Sequence, residues 1–258
     1  MITSTSNDTV KHVTLLVKNA KARRKEGLFV VEGDRIAREI PKGMLVQCFV
    51  TEEFAASQKE NPVFDDADVT VVSADVFKKM SDTQNPQGIL CTCRKDEVSL
   101  DGFLAKRAQG SLRLLILEGI QDPGNLGTMV RSAEAAGFDA VIADMNTADV
   151  FNPKVIRSTM GSIFRVPVIY TDDLPEAVDR LRSEGVTVYA AHLKGEARYS
   201  DTDYAKRIAF MIGNEGNGLS DGICKKADML VKIPMYGKVE SLNAAVAASL
   251  LMFASRGR

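Results

Sequence analysis

Residues 112–137 read LRLLILEGIQDPGNLGTMVRSAEAAG. The compact apolar run Leu112–Leu117 predicts a buried strand, and a Pro-Gly-Asn turn then opens a helix over Leu126–Ala136. The same alternation continues toward the C-terminus. Strands are expected at Ala140–Ala143, Val166–Tyr170, Val186–Ala191, Ile208–Ile212 and Leu230–Ile233. Helices are expected at Pro153–Thr159, Leu174–Ser183, Gly222–Lys226 and Leu242–Ser255. Apolar strands that alternate with helices predict a largely parallel sheet covered on both faces.

Upstream, Val10, Val13, Leu16 and Val17 recur at helical spacing and predict one helix over Asn7–Arg24. Strands at Leu28–Val31, Leu45–Val50, Val69–Val72 and Gly88–Cys93, with helices at Glu52–Gln58 and Ala74–Met80, make this a small α/β domain. The expected division is therefore a domain over 1–95, a polar linker over 96–111 and a larger α/β domain over 112–258.

The 258 residues are 45% hydrophobic and 26% charged, which excludes a disordered chain, a collagen and a disulfide miniprotein. Thirty-three Lys and Arg against 34 Asp and Glu leave a net charge of −1, so any attraction for phosphate must be local. Residues 1–42 hold nine basic and five acidic groups, whereas residues 43–93 hold three and eight. The basic front, which carries Lys11, Lys18, Arg23 and Arg24, is a candidate electrostatic footprint for RNA, with a solvated helix face as the alternative. Cys48, Cys91, Cys93 and Cys224 form no CxxC pair, and His12 and His192 lie far apart, so reduced thiols and no metal are expected. Cys91 and Cys93 are expected on opposite faces of their strand. No signal-peptide core and no membrane-length apolar run is evident, so a cytoplasmic protein without a membrane partner is expected.

Three clusters carry candidate chemistry. Asn125 and Arg131 sit six residues apart after the first strand of the larger domain, where the start of the helix offers free backbone N–H groups to an anion. The second cluster, IGNEGNGL at 212–219, puts Glu215 among three glycines directly after a strand. It matches neither a dinucleotide fingerprint nor a Walker loop, which argues against a nicotinamide-dependent dehydrogenase. The third, IPMYGKVESLN at 233–243, delivers Ser241, as a helix cap, and Asn243 to an alanine-rich final helix.

In this order, NLGTMVRSAEAAGF, IGNEGNGLS and IPMYGKVESLNAAVAA resemble the three signature motifs of the SpoU (TrmH-type) RNA ribose 2′-O-methyltransferases of the SPOUT class. NPKVIRSTMGSIFRVPV at 152–168 is similar to the segment between the first two motifs, and FVVEG at 29–33 to the small RNA-binding domain often fused in front. The resemblance implies a trefoil-knotted α/β domain, a homodimer and S-adenosylmethionine bound in the knot. It implies that Gly213, Ile233 and Leu242 contact this cofactor, with Met235 nearby. Arg131 would fix the target phosphate and the ribose 2′-oxygen and stabilise developing negative charge, with proton removal by Arg131, helped by a substrate phosphate, as the other role the resemblance implies. Asn125, Glu215, Ser241 and Asn243 would complete the catalytic set, with Ser241 hydrogen-bonded to Arg131 or substrate and Glu215 paired with Arg131. Structured RNA is the implied partner, with ribosomal RNA favoured over transfer RNA. A non-catalytic RNA-binding or ribosome-assembly protein with a vestigial knot is the alternative from another class.

Overall fold

The computed structural model describes residues 1–57 and 69–256, and Gln58 of the expected helix Glu52–Gln58 lies outside the described residues. The chain divides into two compact units, one formed by residues 1–97 and 149–164, the other by 98–148 and 165–258.

The first unit runs α1 (Asp8–Lys18), α2 (Ala20–Glu26), β1 (Leu28–Glu32), α3 (Asp34–Ala37), β2 (Leu45–Thr51), α4 (Glu52–Ser57), β3 (Val69–Val72), α5 (Ala74–Met80) and β4 (Ile89–Arg94). Its sheet has the order β1-β4-β2-β3, antiparallel except for the parallel pair β2–β3. Val10, Val13, Leu16 and Val17 bury one stripe of α1 against Phe77, Met80 and Leu90. The single helix expected over Asn7–Arg24 is two, because Asn19 ends one and caps the next: its backbone N–H donates to Leu15 O, and its side chain accepts from Ala22 N–H. Cys91 and Cys93 share a face, as residues two apart on a strand must, and lie with Cys48 in one core cluster. Burial raises the Cys93 thiol to about 12, so it stays protonated.

Arg23 corrects the list of RNA contacts. It is only 3% exposed; its Nε and Nη2 donate to Asp149 Oδ2 at 2.9 and 2.7 Å, and Nη1 donates to the carbonyls of Leu16 and Val17 at 2.7 and 3.1 Å. The side chain is spent closing the end of α1. Lys11, Lys18 and Arg24 are exposed. Arg23→Ala strands a nearly buried carboxylate and two carbonyls, and should cost about 3–5 kcal/mol, read as a large drop in thermal midpoint.

The second unit contains α6 (Leu100–Ala105), β5 (Leu112–Leu117), α7 (Pro123–Ala135) and β6 (Ala140–Asp144). The chain then contributes α8 (Pro153–Thr159) to the first unit and returns. It continues with β7 (Val168–Thr171), α9 (Leu174–Ser183), β8 (Thr187–Ala191), β9 (Ala197–Arg198), β10 (Arg207–Ile212), α10 (Asp221–Cys224), β11 (Met229–Lys232) and α11 (Ala244–Ala254). All neighbours in the sheet β7-β6-β5-β10-β8-β11-β9 are parallel. Later strands insert between earlier ones: β10 between β5 and β8, β11 between β8 and β9.

Two expected boundaries move. Residues 96–111 are not a bare linker: Ser99 caps α6, which buries Phe103 and Leu104 and packs Leu100 against the cluster that holds Leu112 and Leu181, so three apolar side chains at helical spacing outweigh the polar surroundings. Residues 149–164, expected within 112–258, belong to the first unit, because Ile156, Phe151 and Phe164 fill its core around Phe29. Among the described residues no helix is long and apolar enough to cross a membrane.

Candidate active site

Open α/β sheets bind ligands beyond the carboxyl ends of their strands, where the strand order reverses. In the second unit the chain runs β5, β6, β7 to one side and then places β8 and β10 on the other. A cavity of about 360 Å³ opens at the ends of β8, β10 and β11. Its wall includes Gly213, Ile233, Met235 and Leu242, all four expected cofactor contacts, together with Ser241 and Glu215.

The loop after β10 forms one wall. Asn214 folds it: its backbone exchanges hydrogen bonds with Gly218 at 3.1 and 2.9 Å, and its Oδ1 accepts from the N–H groups of Gly216 and Asn217. Its Nδ2 donates to Gly119 O at 2.8 Å, anchoring the loop to the end of β5. Nearby, Glu118 accepts from Ser220 N–H and Oγ–H at 2.8 and 2.7 Å.

A relay of side chains joins the three sequence clusters. Asn243 Nδ2 donates to Asn125 Oδ1 at 2.9 Å, and Asn125 Nδ2 donates to Glu215 Oε1 at 3.0 Å. Glu215 also accepts from the backbone N–H of Gln121 and Asp122 at 3.3 and 3.2 Å. The backbone N–H groups just before α7 therefore face the protein's own Glu215 carboxylate. Asp122 caps that helix, with Oδ1 accepting from Asn125 N–H at 2.8 Å. Asn243, not Ser241, caps α11, accepting from Ala245 and Val246 N–H, so the helix starts two residues later than expected.

Arg131 stands apart. It is exposed on α7, does not line the cavity, and has no hydrogen bond or ion pair among the described residues. The expected contacts of Arg131 with Ser241 and with Glu215 are absent: Glu215 turns toward Asn125, whose amide and the backbone N–H groups beside it satisfy the carboxylate. Asp122, Asn214 and Glu118 were missed as organising residues. An Asp before Pro-Gly at a helix start is a legible cap signal, and an Asn two residues before a glycine is a legible side-chain turn.

Partial burial pushes the Glu215 carboxyl up, but hydrogen bonds from the Asn125 amide, its own backbone and the N–H groups of Gln121 and Asp122 outweigh it, and the net shift is down. A carboxylate lowered in the folded state contributes stability that is present above its unfolded pKa and lost as pH falls through the folded one. Ligand affinity of the cavity should therefore hold through mildly acidic pH and fall only below the ordinary Glu pKa of about 4.3. Glu215→Gln should remove that acid limb from a calorimetric pH series.

The model of the SpoU rRNA Methylase family matches residues 113–253, and that of the MRM3-like substrate binding domain matches residues 7–91. The chain is 37% identical to the 23S rRNA (guanosine(2553)-2'-O)-methyltransferase RlmP of Bacillus subtilis over 99% of both chains. It superposes on the AdoMet-bound rRNA methyltransferase of Sinorhizobium meliloti with a TM-score of 0.85 at 28% identity, covering 99% of this chain and 96% of that one. A solved RNA 2'-O ribose methyltransferase matches with a TM-score of 0.82 at 31% identity, over 99% of this chain and 97% of that one. The chain belongs to the SpoU rRNA methylase family.

Proposed function

We propose that this protein transfers a methyl group from S-adenosylmethionine to a ribose 2′-hydroxyl of ribosomal RNA. The observation that carries the reading is the convergence of three distant segments, around Asn125, Glu215 and Asn243, beside one cavity at the strand ends. That cavity suits the cofactor. Its volume lies in the range of small-molecule sites. Ile233, Met235 and Leu242 offer apolar surface to a flat base, and the Gly213–Gly218 loop offers backbone polar groups. Bound there, the cofactor supplies an already activated methyl on a sulfonium centre.

The protein's own work is then positioning. Holding the reacting atoms about 3–3.5 Å apart and in line is worth roughly 7–11 kcal/mol. Arg131, exposed and without a partner among the described residues on the helix that Asn125 anchors, is the group that meets RNA. Its guanidinium only donates, so it orients the target phosphate and steadies the 2′-oxygen as negative charge develops, with a substrate phosphate accepting the proton. Asn125, Glu215 and Asn243 hold the loops around the cofactor, and Ser241 lines its cavity. Lys11, Lys18 and Arg24 contact phosphates from the first unit.

The same reading includes a homodimer, a threaded C-terminal path and a cytoplasmic location. Val246 and Phe253, half-exposed on α11, support the dimer, and the insertion of β10 and β11 between earlier strands supports the threading. Methyl transfer from labelled cofactor into unmodified 23S transcript and into bulk transfer RNA tests the substrate. Preference for the 23S transcript is expected; labelling of transfer RNA alone would reassign the substrate.

A further inference from the structure

The first unit holds a second cavity, of about 300 Å³, which none of the signature motifs reaches. Its wall combines Arg35 and Arg157, the amides of Asn85 and Gln87, and the apolar side chains of Ile36 and Met160. Glu32 also lines the cavity, and its carboxylate is already satisfied by the protein. It is 5% exposed and accepts from Ser81 Oγ–H at 2.6 Å, Thr83 Oγ1–H at 2.7 Å and Asp82 N–H at 3.1 Å. Those bonds pin the turn that presents Asn85 and Gln87. Gln87 Oε1 accepts from Asp34 N–H at 2.9 Å, which leaves its Nε2 donors free among the described residues.

Three features are unexplained by folding. Arg157 Nη1 is buried and has no hydrogen-bond partner among the described residues, although Nη2 is paired with Asp82 at 2.9 Å. A buried unpaired donor is costly and calls for a ligand or another cause. Arg35 and Asn85 have no partner among the described residues. Met160 is the one non-glycine residue among those described with positive φ, +51°, at the C-cap of α8. Gly or Asn suits that position at less strain, so the methionine side chain is retained at a cost to the fold.

We propose that this cavity takes one unpaired ribonucleotide of the RNA substrate. A wall of this size admits a single nucleotide and no helix. Sequence-specific RNA readers splay out single bases, support their faces and hydrogen-bond their edges. Here Ile36 and Met160 receive the base face, Asn85 and Gln87 offer both donors and acceptors to its edge, and Arg35 takes the phosphate, with Arg157 on the adjoining wall. Residues 149–164 thus add Arg157 and Met160 to a cavity that residues 1–97 leave incomplete. The inference rests on the rRNA methyltransferase reading and deepens it.

Full-length protein, unmodified 23S transcript and S-adenosylmethionine provide the test. Arg35→Ala, Asn85→Ala and Met160→Gly should each raise KM for RNA about tenfold while leaving kcat and cofactor affinity unchanged. Met160→Gly relieves the strained cap, so its thermal midpoint guards against a folding artefact. In a parallel arm, 4-thiouridine and 6-thioguanosine in the transcript should crosslink to peptides spanning Asn85–Gln87 or Met160 whether or not methyl transfer occurs. Unmoved KM in all three variants, or crosslinks confined to other peptides, would overturn the nucleotide cavity. Micromolar binding of free AMP, CMP, GMP or UMP would overturn its assignment to RNA. Failure of wild-type protein to bind cofactor would overturn the methyltransferase reading instead.

Discussion

Gly213→Ala is expected to weaken S-adenosylmethionine binding more than about 100-fold by calorimetry, while Gly216→Ala binds normally. A Cβ at Gly213 would lie 2.1 Å from the carbonyl carbon of Gly218, 2.2 Å from Leu219 N and 2.4 Å from Gly218 O. All three are backbone atoms, so no side-chain rotation relieves the collision. Gly213 has no positive φ, which makes the requirement one of space rather than of backbone conformation. Admitting the methyl group must push the 218–219 strand of the loop outward and break the paired hydrogen bonds between Asn214 and Gly218. Overpacking of this kind costs about 1–3 kcal/mol even where neighbours can adjust, and here the neighbour is the cavity wall. At Gly216 the nearest atom to an added Cβ is Asn214 Oδ1 at 3.5 Å, an ordinary contact. Retained binding in Gly213→Ala would mean that the cofactor does not use this loop.

Arg131→Ala should lower kcat about 10²–10³-fold, the usual effect of deleting one preorganised donor aimed at developing charge, with cofactor affinity and thermal midpoint unchanged. The separation follows from position. The side chain is exposed and has no hydrogen bond or ion pair among the described residues, so its loss removes none of those interactions. It also lies outside the cofactor cavity wall. Arg131→Lys should recover only part of the rate, since an ammonium keeps the charge but not the planar fork that grips phosphate. Single-turnover methylation at saturating RNA reads this directly. An Arg131→Ala protein with undiminished kcat would transfer the catalytic role elsewhere.

Most of the architecture was legible in periodicity. Leu112–Leu117, Pro153–Thr159 and Leu174–Ser183 stand where their apolar spacing puts them. The parallel sheet follows from strands apolar on both faces. What local pattern could not show was ownership of a segment. α8 reads as one more helix of the larger domain, yet Ile156 packs beside Phe29 in the other unit, because the chain's long-range packing, not its local spacing, decides where an apolar face is buried. Arg23 failed for a related reason: charge counts assume that a basic side chain is solvated, and only the fold supplies Asp149 and two open carbonyls to receive it. The cavity residues Gly213, Ile233, Met235 and Leu242 were reached through family resemblance, since nothing in their spacing brings 213 and 242 together. The relay from Asn243 through Asn125 to Glu215 spans 118 and 90 residues and was visible only as three unconnected polar signals.

The central claim concerns one atom, the ribose 2′-oxygen. Purified protein, unmodified 23S transcript and S-adenosylmethionine labelled in the methyl group, followed by digestion to nucleosides and mass spectrometry, locate that label. The label is expected in a single 2′-O-methylated nucleoside, resistant to alkaline cleavage at its 3′ side. Label on a base, or RNA left unlabelled by a protein that binds the cofactor, would contradict it.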